Sequence, residues 1–344
     1  MRDGYVVAVV GATGAVGRQA VAILEARGFP VRELRLAASG RSAGKRVDGH
    51  PVVALSEDVF DGCDIAIFDV PDGVSAEWAP RAAARGAVVI DNSATFRLEP
   101  DVPLVIPEIN GQRVKDRPRG IVANPNCTTA TFLLPLAPLH RAYGLRRVVA
   151  CSYQSVSGAG QAGTEQLWRE LRAAVERGEP LREPLGQAFP HPIALNVLPA
   201  VGSVRDGGHT SEEVKAQQES RKILEHPGVE VGITCVRVPT LVGHGVAVHA
   251  TFDRSPDLEE VREILRTAPG VEVVDEPRSA RYPTPLLAAG RDPAYVGRIR
   301  LDGAGNLAFF VVADNLRKGA ALNAVQIAET LVALEPELRA HARV

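Results

Sequence analysis

The sequence predicts an α/β protein: a Rossmann-like doubly wound parallel sheet joined to a second, α+β domain. Three observations predict it. Short apolar runs alternate with helix-period segments over the first third of the chain, a glycine-rich turn links the first run to the first helix, and from about residue 147 the pattern changes to longer β-rich stretches. Alternation of the first kind is what βαβ units, and hence a parallel sheet, require.

In chain order, "YVVAVV" reads as a buried strand and "RQAVAILEARG" as a helix closed by Gly28. "ELRLAAS" and "DIAIFDV" read as strands, "AEWAPRAAARG" as a helix and "AVVID" as a strand again. "NPNCTT" at 124–129 reads as a turn between two apolar runs. Further on, "RRVVACSYQSV", "VGITCVRVPTLV" and "VAVHATFDR" are β-rich, and "AGTEQLWRELRAAVERG" is helical. The C-terminal "GAALNAVQIAETLVALEPEL" has an amphipathic helix pattern, expected to return and cover the first sheet. The expected division is 1–126, completed by a helix over 318–344, and 127–317.

Bulk properties narrow the function. At 344 residues and 45% hydrophobic content the chain has room for two cores. A net charge of -2 offers no field to draw in nucleic acid or anionic lipid, so the expected partner is a small molecule. The four cysteines, at 63, 127, 151 and 235, form no C-x-x-C pair, which argues against a zinc knuckle or a disulfide framework and fits a reducing cytoplasm. The apolar run near the N-terminus is too short for a signal peptide, and no stretch approaches a membrane span.

Gly11-Ala-Thr13-Gly14-Ala15-Val16-Gly17 follows the first strand and opens the first helix. Such a turn lets the backbone approach a pyrophosphate, whose charge is met by the helix N-terminus. The end of the second strand selects the dinucleotide: Ser39-Gly40-Arg41-Ser42 holds no carboxylate for a ribose 2'-hydroxyl and one guanidinium for a 2'-phosphate, which favours NADP. The overlapping G-x-S-x-G of Gly40, Ser42 and Gly44 lacks the following helix that a hydrolase elbow needs. The Tyr-x-x-x-Lys pair of short-chain reductases is also missing, since Val9, Arg147, Ser157, Leu286 and Ile299 stand four residues after the tyrosines. A cofactor domain followed by a cysteine-bearing domain suits acyl-level redox chemistry through a thioester.

The stretches "VAVVGATGAVG", "VIDNSATFR", "LVIPEIN", "NPNCTT", "SYQSVSGAG", "EEVKAQQESRKIL", "CVRVPTLVGH" and "DNLRKGAALNAVQIAE" resemble the aspartate-semialdehyde dehydrogenase family almost end to end. The resemblance implies that Cys127 is the acyl-thioester nucleophile, Gln154 its orienting partner and His244 the acid/base. It implies a substrate-carboxylate clamp at Arg237, an E-x-x-K pair at Glu212 and Lys215, a further phosphate ligand at Arg97, and substrate contact at Asn126. Cofactor contacts fall on Gly11, Thr13, Gly14, Ala15, Val16, Ser39, Arg41, Ser42, Ser157, Gly158 and Asn315. It further implies that 127–317 is a catalytic and dimerisation domain, in a homodimer or homotetramer that uses inorganic phosphate.

The residues support this chemistry on their own terms. An unperturbed thiol of pKa about 8.5 is mostly protonated at neutral pH, so a neighbouring imidazole is the expected device for activating Cys127. His244 and His249 are five apart in an expected strand and point to opposite faces, so no metal site is expected. The chain departs from the family pattern in two places. Phe68-Asp-Val-Pro-Asp-Gly73 stands where a small-residue turn is usual, and Gly245-Val246 replaces Ser-Glu after His244. The expected reaction is NADPH-dependent conversion of 4-phospho-aspartate to aspartate 4-semialdehyde, toward lysine, threonine and methionine. Its rivals are N-acetyl-glutamyl-phosphate reduction and a catalytically silent NADP-binding role.

Overall fold

A computed structural model describes residues 4–336 and 338. They form two compact units, one of the residues up to Asn126 with those from Ala320 onward, the other of Cys127–Gly319.

The first unit contains β1 (Tyr5–Val10), α1 (Ala15–Ala26), β2 (Val31–Ala38), β3 (Arg46–Val47), β4 (His50–Ala54), β5 (Ile65–Phe68), α2 (Asp72–Ala84), β6 (Val88–Asp91), α3 (Pro107–Asn110) and β7 (Ile121–Ala123). Its seven strands run in the order β3-β4-β2-β1-β5-β6-β7. All neighbours are parallel except the β3–β4 hairpin. The strand order reverses beside β1, and the crevice at the carboxyl end of such a strand is where doubly wound sheets take their ligands.

β1 is buried along its whole length because both faces of the sheet are covered. Val7, Val9, Ile65, Ile67 and Ile90 share a core with Ala20, Ile23 and Leu24 of α1. On the other face Phe68 stacks on Phe60 with centroids 5.8 Å apart, and Trp78 of α2 leans against Phe60. That two-sided burial explains why "YVVAVV" carries no polar alternation.

The second unit contains α4 (Cys127–Tyr143), β8 (Leu145–Gln154), α5 (Gly160–Arg177), α6 (Ser211–Ile223), β9 (Glu230–Arg237), β10 (His244–Phe252), α7 (Leu258–Thr267), β11 (Val271–Val273), α8 (Pro285–Ala288), β12 (Ala294–Leu301) and β13 (Leu307–Ala313). The strands form a mixed sheet, β11-β12-β13-β10-β8-β9. α4, α6 and α7 pack on this sheet. Alternate residues of β8, among them Val149 and Tyr153, point the other way and are exposed.

The chain around Cys127 differs from the expected turn. "NPNCTT" is not a turn throughout: Cys127 is the first residue of α4. Pro135 and Pro138 lie inside that helix and withhold N–H donors from the carbonyls four residues earlier, which disguises it as an irregular apolar run. Tertiary burial overrides the local penalty, since Phe132, Leu133, Leu136 and Leu139 are fully buried.

Glu170 organises the long segment after α5. Its buried carboxylate accepts N–H bonds from Leu185, Ile193 and Ala194 at 3.1, 2.7 and 3.1 Å, and from Gln166 Nε2 at 2.8 Å. This fixes Phe189 and Ile193 in a small core with Val156 and Leu167.

A π-turn at Arg317–Ala321 leads into α9 (Leu322–Leu334) of the first unit. Leu322, Val325, Ile327, Ala328 and Leu331 join the core shared by α1 and the parallel strands. The helix buries a wider arc than a simple amphipathic pattern. Even Asn323 is buried, donating to Val105 O at 2.9 Å and to Asn124 Oδ1 at 2.5 Å. Of the helix expected over 318–344, residues 337 and 339–344 lie outside the described residues. No helix among the described residues is long and apolar enough to cross a membrane.

Candidate active site

Strand register in the second unit assembles the site. Gln154 ends β8 and pairs with Arg237, which ends the parallel β9. β10 runs antiparallel to β8 with Gly245 opposite Tyr153, so its first residue, His244, arrives beside Gln154 and Ser155. Cys127 stands at the N-terminus of α4, half-buried. The partial positive charge of that first helical turn favours an anion at this position.

Gln154 Nε2 donates to Thr128 Oγ1, the residue after Cys127, and to Glu212 Oε1 at 3.1 Å. Its buried Oε1 has no hydrogen-bond partner among the described residues. Glu212 lies in the first turn of α6, which opens with a capping box between Thr210 and Glu213. Lys215 Nζ is 3.9 Å from Glu212 Oε2, one turn along.

Arg237 is buried, donates from Nη1 to Ser155 O at 2.7 Å, and lies over the ring of Phe189 at 5.9 Å. Burial pulls its pKa below the usual value, while attraction to Cys127 and Glu212 pulls it back. By reciprocity the same guanidinium favours a thiolate at Cys127. Cys63 and Cys235 are pushed up to about 12 by burial, and Cys151 is raised for the same reason, so these three thiols are chemically quiet.

His244 is fully buried, and its pKa is held well below the usual value by desolvation first and by Arg237 second. Nδ1 accepts the Ser155 main-chain N–H at 3.1 Å. Nε2 has no hydrogen-bond partner among the described residues, and the ring makes no hydrogen bond to the Cys127 thiol. The ring is turned to the Ser155 backbone instead. His249, on the other face of β10, is partly exposed and pairs with Asp302 at 2.9 Å.

Gly158 borders this ring, and Ser157 and Asn315 bond the Ser155 hydroxyl beside it. A Cβ on Gly158 would come within 2.8 Å of Arg237 Nη1 and 3.2 Å of His244 Nε2. Asn315 Oδ1 accepts the Gly243 N–H at 2.9 Å and the Ser155 hydroxyl at 2.9 Å, while its Nδ2 donates to Ser157 Oγ at 3.0 Å. Two residues of this region escaped the sequence reading. Ser155 supplies the partner of His244, and Gly319 lies so close to Cys127 that a Cβ there would be 2.8 Å from the cysteine Cβ. The Lys-Gly pair in "LRKGAA" was the available signal for Gly319.

The first unit carries the remaining candidates. Gly11 has φ +88°, and a Cβ there would fall 1.9 Å from Asp69 O, so only glycine fits. Gly14 is the N-cap of α1, with no side-chain capping bond and no acidic residue in the first turn. Gly14, Ala15 and Val16 thus form a helix start fit for a pyrophosphate. Thr13 Oγ1 is 3.4 Å from Ser42 Oγ, tying the glycine loop to the 3-10 turn at Gly40–Ser42. Ser39 and Arg41 on that turn are exposed. Asp69, in the stretch that departs from the family pattern, lies beside this loop, with Oδ2 3.4 Å from the Cβ position of Gly14. Burial raises its pKa to about 6, against the pull of the Asn92 side chain and then of the Gly17 N–H. Arg97 is buried and donates to the carbonyls of Asn124 at 2.8 Å and Asn92 at 2.7 Å, bracing the strand end that leads to the buried Asn126.

Comparison with known proteins identifies the family. The family model for "Semialdehyde dehydrogenase, NAD binding domain" matches residues 6–117, and that for "Semialdehyde dehydrogenase, dimerisation domain" matches residues 136–318. An aspartate-semialdehyde dehydrogenase of Aquifex aeolicus is 48% identical over 96% of this chain and 98% of its own. The crystal structure of aspartate semialdehyde dehydrogenase II of Vibrio cholerae, complexed with ASA, has a TM-score of 0.90 at 42% identity, covering 96% of this chain and 98% of its own. The aspartate semialdehyde dehydrogenase of Candida albicans, solved with NADP, has a TM-score of 0.73 at 25% identity, covering 96% of this chain and 99% of its own. With both family models matched in order and 48% identity over nearly the full length of a relative, the chain belongs to the aspartate-semialdehyde dehydrogenase family of oxidoreductases.

Proposed function

We propose that the protein carries out NADPH-dependent reductive dephosphorylation of 4-phospho-L-aspartate to L-aspartate 4-semialdehyde, through a thioester on Cys127, toward lysine, threonine and methionine. The observation that carries this reading is Cys127 at the start of α4, electrostatically coupled to Arg237, with Gln154 bonded to the next residue and to Glu212. A nucleophile, a cation for a carboxylate and a carboxylate for an ammonium are what a phosphorylated amino acid needs.

Cys127 attacks the acyl carbon, and the acyl–oxygen bond to phosphate breaks. Arg97 and Lys215 receive the phosphate, Arg237 holds the α-carboxylate, and Glu212 takes the ammonium. Asn126 and Gln154 orient the reacting group. A dinucleotide held by Gly11, Thr13, Gly14, Ala15, Val16, Ser39, Arg41, Ser42, Ser157, Gly158 and Asn315 supplies hydride when bound. Arg41, the guanidinium on the exposed turn, supports a preference for the 2'-phosphate of NADP, the ligand named for the Candida albicans relative.

In this reading 1–126 with the C-terminal helix is the nucleotide-binding domain and 127–317 the catalytic and dimerisation domain. The open sheet face bearing Val149 and Tyr153 supports a homodimer. Four free thiols support a cytoplasmic setting. The test is NADP reduction with aspartate semialdehyde, with and without phosphate. The reading expects turnover that saturates in phosphate and weakens in that saturation when Arg97 or Lys215 becomes Ala; phosphate-independent turnover would overturn it.

A further inference from the structure

Asp69 stands in the stretch where the family pattern has small residues, and it brings a carboxylate to the start of α1. It directly follows β5, which lies beside β1 where the strand order reverses. Its carbonyl closes on Gly11, and its Oδ2 is 3.4 Å from the Cβ position of Gly14, the N-cap of a helix with no side-chain capping bond. A side-chain anion therefore borders the helix start that suits a pyrophosphate.

A chain of amides reaches the same place from the core. Asn323 Nδ2 donates to Asn124 Oδ1 at 2.5 Å, and Asn124 Nδ2 donates to Asn92 Oδ1 at 2.7 Å. Each amide has one accepting and one donating end, so this order leaves Asn92 Nδ2 as the outward donor. That nitrogen is buried and has no hydrogen-bond partner among the described residues. A buried donor in this state points to a ligand or a charge that will use it, and the charge it favours is the Asp69 carboxylate.

No cation among the neighbouring groups offsets that carboxylate. Asp91, from β6, adds a second negative charge, and its oxygens accept the Ser75 and Ser93 hydroxyls at 2.7 and 2.6 Å. Asp72, which opens α2, accepts the Ala94 N–H at 2.9 Å, and Arg18 of α1 is turned to the Thr13 carbonyl at 3.2 Å. Desolvation, resisted by Asn92 and Gly17 and reinforced by Asp91, already holds the Asp69 carboxyl at about 6.

We propose that Asp69 is a proton-coupled binding residue for the dinucleotide: a carboxylate in the free protein, it takes one proton from solvent as the nucleotide binds and donates that hydrogen to a pyrophosphate oxygen. The proposal rests on the dinucleotide reading above. Two anions brought together in one desolvated site do not both keep their charge. A pyrophosphate diester is by far the stronger acid, so the proton goes to Asp69, which then has an O–H to donate. By linkage, nucleotide affinity falls as pH rises through the range in which the free protein has lost that proton and the complex keeps it.

The test is calorimetric titration of the whole protein with NADPH and with NADH, at about pH 7.5, in buffers of different ionisation enthalpy, so that the heat difference counts the protons taken up. Uptake approaching one proton is expected with both nucleotides, with a Kd that rises by up to about tenfold per pH unit above about pH 6. In Asp69→Asn and Asp69→Ser the uptake with NADH should vanish, and binding at about pH 8 should be tighter than in wild type by about tenfold or more. Uptake with NADPH alone belongs to its 2'-phosphate, whose second pKa is about 6, and would overturn the proposal. Binding of both nucleotides without uptake, or uptake with NADH that persists in both variants, would overturn it as well. A wild type that binds neither nucleotide would instead remove the dinucleotide reading, and this proposal with it.

Discussion

Gln154 Nε2 donates to Glu212 Oε1 at 3.1 Å, and because a carboxylate only accepts, the contact fixes which way the Gln154 amide faces. The partnerless Gln154 Oε1 is therefore an acceptor. Glu212 shares its carboxylate with Lys215, so a substrate bringing both an ammonium and a phosphate can exchange with both partners of that pair.

The first prediction follows from that carboxylate. A carboxylate about 4 Å from an ammonium is worth roughly 1 kcal/mol when solvated and roughly 4 kcal/mol in a partly closed site. Glu212→Gln should lose that much in kcat/KM for aspartate semialdehyde and almost nothing for N-acetyl-glutamate semialdehyde, which has no free ammonium. An unchanged ratio of the two would remove Glu212 as the ammonium partner, and a wild-type preference for the acetylated compound would move the protein to the rival reaction.

Gly319 gives a steric prediction. A methyl placed 2.8 Å from the Cys127 Cβ forces the nucleophile or the π-turn to shift. Displacements of that kind cost about 10²-fold in rate when they move a reacting atom. Gly319→Ala should lower kcat by about 10- to 100-fold while leaving the Kd for NADP within about twofold. Unaltered kcat would show that the turn yields freely.

Asp69 gives a pH dependence. Its pKa, raised to about 6, lies above the unfolded value near 3.9, so the native state binds the extra proton between those values and stability falls as pH rises through that window. Above about pH 6 this half-buried, desolvated carboxylate costs on the order of 2 kcal/mol. Asp69→Asn should therefore raise Tm relative to wild type above that pH and not near pH 4. It should also tighten dinucleotide binding at neutral pH, because the carboxylate and a pyrophosphate compete for the same helix start. A Tm difference that stays constant with pH would contradict the sign.

The cofactor prediction concerns Arg41. If it meets the 2'-phosphate, Arg41→Ala should weaken NADP by about 1.5 to 3 kcal/mol and leave NAD almost unchanged, as for loss of one charge-assisted hydrogen bond. Titration of both nucleotides decides it, and equal losses would make Arg41 a support of the loop alone.

The legibility of these features followed their range in sequence. The glycine turn and the strand and helix around it were readable because Gly11, Gly14 and Gly17 act on the backbone within a few residues. The helix start at Cys127 was hidden by Pro135 and Pro138, whose cost is met by burial that no local pattern announces. Ser155 was invisible as the partner of His244, since their contact depends on the antiparallel register of strands separated by about ninety residues. Gly319 acts through a π-turn, a rare local geometry with no periodic signature.

An acyl-enzyme on Cys127 is read most directly from the intact and peptide mass of protein quenched in acid after mixing with aspartate semialdehyde and NADP in the absence of phosphate. A thioester at Cys127 predicts an aspartyl adduct on the peptide carrying that residue in the wild type, discharged by added phosphate, and none in Cys127→Ala, which also loses turnover. An adduct on another residue, or turnover preserved in Cys127→Ala, would contradict it.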